Sequence, residues 1–131
     1  MSYATIKAGF TTVLSAQGYS ECKSLLEFEH TPLSYNHKWY VFKVEAFETV
    51  DLLDNELIGT HLFRLEIRYK NTTTSERDTN YALFIALAKL LSAVAGFLGF
   101  EEATFIDEGP TDSEYHTKGT LRFFAGAEAC T

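Results

Sequence analysis

The sequence predicts a single α+β domain: a mainly antiparallel sheet of four to five strands, packed with a short N-terminal helix and a long helix at about 75–98. Three observations lead there. Two segments alternate apolar and polar residues with a period of two, two others repeat apolar residues at helical spacing, and the length suits one core. A chain of 131 residues, 46% hydrophobic and 15% aromatic, buries roughly two-thirds of its unfolded surface without a disulfide or metal staple. No internal repeat, low-complexity tract or linker divides it, so residues 1–131 read as one domain.

At the N-terminus, Ile6, Phe10, Val13 and Leu14 fall on one face of a helix over residues 2–17, with Ser2 as N-cap and Gly18 as the stop. Residues 19–37 read as an irregular stretch with one short edge strand near Ser24–Glu29 and a turn at Thr31–Pro32. Lys38–Phe47 is a strand in which Tyr40, Phe42, Val44 and Ala46 alternate with Trp39, Val41, Lys43 and Glu45. His61–Tyr69 alternates more cleanly, with Phe63, Leu65, Ile67 and Tyr69 against Arg64, Glu66 and Arg68, so one face is in the core and the other is wet. Between these strands, Glu48–Gly59 is too long and too apolar for a tight turn and reads either as a short helix or as a projecting arm of the hairpin.

The strongest element is the helix from about Ser75 to Leu98. Ser75 with Asp78 makes a start resembling a capping box, and Glu76 and Asp78 suit the positive end of the helix dipole. Tyr81, Phe84, Ile85, Ala88, Leu91 and Ala95 form an apolar stripe, widened by Leu87, Leu90, Val94 and Leu98, which predicts burial on more than one side. Two strands follow, around Ala103–Asp107 and Gly119–Ala125, joined by an acidic turn at Glu108–Glu114, and Phe105, Leu121 and Phe123 add to the core.

Charge and spacing exclude several function classes. Eighteen acidic residues against 11 basic ones, a net charge of −7, are the opposite of the basic stripe that neutralises phosphates, so direct nucleic-acid binding is not expected. The longest apolar run, near Tyr81–Phe100, is broken by Lys89 and Ser92 and is periodic, which reads as a core helix rather than a membrane span. Cys22 and Cys130, with no signal-peptide pattern before the first helix, read as free thiols in a reducing cytoplasm.

His30, His37, His61 and His116 lie in separate segments without metal-ligand spacing, so no metal site is expected. Glu29–His30, and His116 near Glu114, read as exposed loop pairs. Neither cysteine has a setting that lowers a thiol pKa, and no serine elbow or phosphate-binding glycine loop is present, so no catalytic or cofactor residues are assigned. The clusters Asp51–Asp54–Glu56 and Asp107–Glu108–Asp112–Glu114 read as solvated acidic loops, because the alternate spacing of calcium ligands is missing from both; for the second cluster a weak divalent-cation site is the alternative.

Surface apolarity is the feature left over. Trp39, Val41 and Phe47 on the outer face of one strand, and Leu52, Leu53, Leu57 and Ile58 in the connection beyond it, exceed what one sheet face and two helices need to cover. Either the N-terminal helix covers the strand face and the connection packs down, or these residues form a subunit interface, where aromatic anchors are enriched.

The short N-terminal helix, the strands Lys38–Phe47 and His61–Tyr69, the segment Ser75-Glu-Arg-Asp-Thr-Asn-Tyr-Ala-Leu-Phe-Ile-Ala-Leu-Ala-Lys-Leu-Leu, and then Phe105-Ile-Asp-Glu-Gly and Gly119-Thr-Leu-Arg-Phe, together resemble a bacteriophage tail-terminator or tail-completion protein. The resemblance spans nearly the whole chain in length and element order, and the family is recognised by topology more than by invariant residues. It implies an α+β subunit without enzyme activity or cofactor, assembled in the host cytoplasm and residing in the virion tail. Such a subunit forms a hexameric ring on the last ring of the major tail-tube protein, halts polymerisation and offers a surface to head–tail joining proteins. The alternatives are a head–tail connector or other minor tail component, and, from another class, a small bacterial ligand-binding or enzymatic domain with a pocket between the long helix and the sheet.

Overall fold

The computed structural model describes residues 3–22, 38–53, 56–71, 73–111 and 114–126. In chain order these form α1 (Tyr3–Ala16), β1 (Tyr19–Glu21), β2 (Lys38–Leu53), β3 (Glu56–Lys70), α2 (Thr74–Ser92), β4 (Phe97–Thr111) and β5 (Glu114–Gly126). The strands make one five-stranded sheet in the order β1-β2-β3-β5-β4. Only the β1–β2 pair is parallel; the other neighbours are antiparallel. Two helices with this mixed sheet make the fold α+β.

Period-two patterning sets the register. Phe42 pairs with Leu65, and Leu65 in turn with Leu121; Phe63 pairs with Phe123. The apolar members of three adjacent strands therefore share one face, and a slip of one residue would turn them all to the other. Phe63, Leu65, Ile67, Tyr69, Leu121 and Phe123 are fully buried. Both helices lie on that face. Phe10 of α1 sets its ring 4.9 Å from Phe123, 5.9 Å from Phe63 and 6.2 Å from Phe42. Phe84 of α2 sits 6.5 Å from Tyr69 and 5.5 Å from Phe105. α1 thus covers the Tyr40–Phe42 side of β2, not the Trp39–Val41 side considered above, because its buried stripe of Ile6, Phe10 and Leu14 belongs to the main core.

The ends of several elements differ from expectation. α2 is capped by Thr73, whose Oγ1 accepts the Glu76 N–H at 3.1 Å, so Ser75 lies inside the first turn. The helix stops at Ser92 rather than near 98. Gly96 then takes a left-handed conformation (φ 95°), Gly126 N donates to Gly96 O at 2.9 Å, and the chain turns directly into strand at Phe97. Gly18 (φ 85°) ends α1 in the same way.

β4 and β5 are longer than the expected Ala103–Asp107 and Gly119–Ala125. Most of the acidic Glu108–Glu114 stretch continues the hairpin, with Gly109 paired to His116, Pro110 to Tyr115 and Thr111 to Glu114. Pro110 is tolerated because β4 is the sheet edge, and a bulge between Asp107 and Gly109 takes up the irregularity. The connection after β2 is also strand: pairing runs on from Glu48–Thr60 to Leu53–Glu56, which makes Glu48–Gly59 the arm of the hairpin and excludes a helix. A short edge strand is present at Tyr19–Glu21; the strand placed near Ser24–Glu29 and the Thr31–Pro32 turn lie outside the described residues, as does Ser2.

Gly119 is where α2 meets the sheet. A Cβ there would stand 2.6 Å from the ring of Phe84, which is itself buried between Tyr69 and Phe105. Gly119→Ala is therefore expected to destabilise the fold by about 1–3 kcal/mol, and a second change, Phe84→Leu, to cost less in that background than in the native chain. Denaturant unfolding of the four proteins of this cycle checks it; additive effects would mean the contact is not the cause.

Candidate functional site

α2 packs by one narrow stripe. Asn80, Phe84, Leu87 and Leu91, at spacings of four, three and four, are its buried residues. Asn80 reaches back from this stripe, its Nδ2 donating to Lys70 O at 3.1 Å and to Asn71 Oδ1 at 2.7 Å, which ties the helix to the end of β3. The rest of the helix is not covered. Tyr81 (48% exposed), Leu83 (40%), Ile85 and Leu90 face outward, correcting the expectation of burial on more than one side. Six strand residues from β3 and β5, with Phe10 and Phe84, already fill the space above the sheet, so a single helical stripe is all it can accept.

The exposed side is also nearly free of charge. From Thr79 to Phe100 the sequence holds Lys89 and no acidic residue, in a chain of net charge −7. The Tyr81 ring lies 5.5 Å from Phe105 of edge strand β4. β4 also exposes Phe100 on the helix side, while Ile106, paired with Lys118, and Leu98, beside Gly126, are exposed on the other face of the sheet. On the other flank, Leu83 and Ala86 border a dent of about 90 Å³ that is completed by Leu87, Gln17, Tyr19 and Lys38. The dent is well below the several hundred Å³ of a typical small-molecule site. Burial pulls the Lys38 ammonium below its ordinary pKa and pushes the Tyr19 phenol up, although the Tyr19 hydroxyl shares a 2.9 Å hydrogen bond with that of Tyr69.

The sheet's other face carries an ion-pair network. Arg122 bonds Glu45 at 2.8 Å; Arg64 meets Glu66 at 2.9 Å and Glu45 at 3.4 Å; Lys118 meets Glu66 at 3.2 Å. Burial alone would raise the Glu66 pKa, but the Arg64 hydrogen bond and the Lys118 and Arg64 charges together hold it below the ordinary carboxylate value. Glu45 is lowered chiefly by its hydrogen bond from Arg122. Glu45 comes from β2, Arg64 and Glu66 from β3, and Lys118 and Arg122 from β5, so the network clamps these three neighbouring strands across their wet face.

The residues singled out in the sequence are not one patch. Val41 is buried, in a small cluster with Cys22 and the partly buried Trp39, so it is not part of an exposed surface. Period-two alternation had placed it correctly on the face away from the helices, but outward there did not mean uncovered. Phe47, Leu52, Leu53, Leu57 and Ile58 lie on the β2–β3 arm, and their side chains are outside the described residues. Leu83, Ile85 and Leu90 were missed as surface residues, because a helix apolar on all sides reads as buried; the long run without acids was the available signal.

Of the histidines, His116 is buried on β5 rather than exposed in a loop, and His61 is partly buried, which lowers its pKa; His30 and His37 lie outside the described residues. Cys22 is buried and forms no disulfide among the described residues, and Cys130 lies outside them. Among the described residues no group of three His, Cys, Asp or Glu side chains could hold a metal, and no helix is long and apolar enough to cross a membrane.

No protein-family model and no curated protein matches the chain.

The Glu66 pairs make a pH prediction. Its folded pKa lies below 4.5, so its contribution is complete above that value and is lost as pH falls through the folded pKa. Glu66→Gln is expected to lower stability at neutral pH by about 1–3 kcal/mol, and the difference from the native chain to shrink below pH 4.5 and to be lost once pH is below the folded pKa. Urea unfolding measured across that range checks it; a gap that stays constant with pH would contradict the assignment.

Proposed function

We propose that this chain is a structural subunit of a bacteriophage tail, a terminator that closes as a ring on the end of the tail tube, stops its growth and prepares that end for head joining. The observation that carries the proposal is the exposed, nearly uncharged side of α2, with Tyr81, Leu83, Ile85 and Leu90 facing outward and Lys89 as its one charge. An exposed apolar helix side of this kind marks a macromolecular contact, and the interior of an assembly is where such a surface is covered. The element order, helix, strands, long helix and strand pair, supports the same family, as does the small size of the dent beside α2, which suits a side chain better than a metabolite.

In this proposal the partners are further copies of the chain, the major tail-tube protein and the head–tail joining proteins. The ring is hexameric, it is assembled in the host cytoplasm, and it stays in the virion tail. Neither a catalytic step nor a cofactor is invoked. A head–tail connector would use a similar surface but would bind the portal side of the joint and leave tube growth untouched.

Capping is the direct test. The purified chain is added to tail-tube protein from the same genome during polymerisation, and tube lengths are measured by negative-stain electron microscopy. Shorter tubes with density at one end are expected, and at saturating chain no further elongation. Unchanged lengths with no bound chain would overturn the terminator assignment.

A further inference from the structure

The β2–β3 arm and the α2 flank are complementary in chemistry but lie at opposite ends of one strand. Beyond the Thr60–Gly126 pair, β2 and β3 pair only with each other among the described residues, as far as Leu53–Glu56. A two-stranded ribbon of this kind is marginal in water on its own. Its sequence, Phe47 to Gly59, holds four acids (Glu48, Asp51, Asp54 and Glu56), no base, and a run of apolar residues that includes Leu52, Leu53, Leu57 and Ile58.

The α2 flank offers the converse: exposed Leu83, Ala86 and Leu90, the dent that Leu83 and Ala86 border, Lys89, and the partly buried Lys38, with no acid from Thr79 to Phe100. A desolvated lysine at the rim of a dent gains from an incoming carboxylate. Lys38 is the first residue of β2, however, and Leu53 is its last. At the rise of an extended strand they stand ~50 Å apart, so the arm of a chain cannot reach its own dent.

We infer that the occupant of the α2 flank is the β2–β3 arm of a second copy of this chain, placing arm leucines against Leu83, Ala86 and Leu90 and arm carboxylates beside Lys38 and Lys89. The contact joins two different surfaces, so it is heterologous. Repeated from copy to copy, it generates a ring when the rotation closes, and an open filament otherwise. This deepens the assembly proposed above by naming the contact within the ring, and it rests on that proposal only for closure.

The test uses full chains in a Cys130→Ser background. One carries Ala86→Cys, and the other carries Leu53→Cys or, in a separate preparation, Leu57→Cys; thermal melting checks that each is folded. Under mild oxidation the mixture is expected to give at least about tenfold more disulfide-linked dimer than either protein alone, as a specific contact requires. Adding Lys89→Glu to the first chain should reduce that yield several-fold, and adding Asp51→Lys and Asp54→Lys to the second should restore it.

Mixtures that yield no more than the separate proteins, self-linking by Ala86→Cys alone, or a yield insensitive to Lys89→Glu would each overturn the contact. Those failures leave the capping assay free to succeed through a different interface, so the two proposals fail separately.

Discussion

Four phenylalanine rings set where the rest of the chain can lie. Phe10 comes from α1, and Phe42, Phe63 and Phe123 come from three adjacent strands; Phe42 and Phe63 stack at 5.0 Å, and Phe10 closes over them and Phe123. Aromatic contacts of this geometry add to the area they bury. Once α1 is seated there, the remaining area on that face of the sheet lies over Tyr69, Gly119 and Phe105, and α2 fills it with the stripe Asn80, Phe84, Leu87 and Leu91. The missing side chain at Gly119 is what lets the Phe84 ring approach. The outward apolar face of α2 is therefore a consequence of core geometry: one stripe satisfies the sheet, and the other apolar residues have nothing left in the described fold to cover them.

The two faces of the sheet divide the work. The helix face holds the apolar core, while the opposite face is tied by Glu45, Arg64, Glu66, Lys118 and Arg122 across three strands. Ion pairs on a partly exposed face add little each, but here those of Glu45 with Arg64 and Arg122, and of Glu66 with Lys118, cross between strands and connect β2, β3 and β5, which favours the register of the long hairpins. A rigid sheet of this kind can carry two-stranded extensions beyond its helices, and the β2–β3 arm is such an extension.

Much of this was legible in the sequence, and what was not has definite causes. The alternation in His61–Tyr69 and the spacing of Ile6, Phe10 and Leu14 are local signals, and they predicted both the elements and their buried faces. Element ends were less legible, because pairing continues wherever a partner strand is present: Gly109–Pro110 looked like a turn but sits in an edge strand, and Glu48–Gly59 stayed ambiguous until its register with the opposite strand was known. Burial of Val41 depends on Cys22 and Trp39 alongside it, which alternation does not report. α2 was read as buried because hydrophobicity around a helix specifies what must be covered without specifying whether the same chain covers it. Its exposed residues and the arm are the two surfaces on which the functional proposal now stands.

The central claim is that these surfaces are completed by other copies of the chain in a closed ring. Sedimentation velocity of the native chain over a wide concentration series tests this most directly. The account predicts growth from monomer to one discrete oligomer whose size stops increasing with concentration; a chain that sediments as a monomer at every concentration would contradict it.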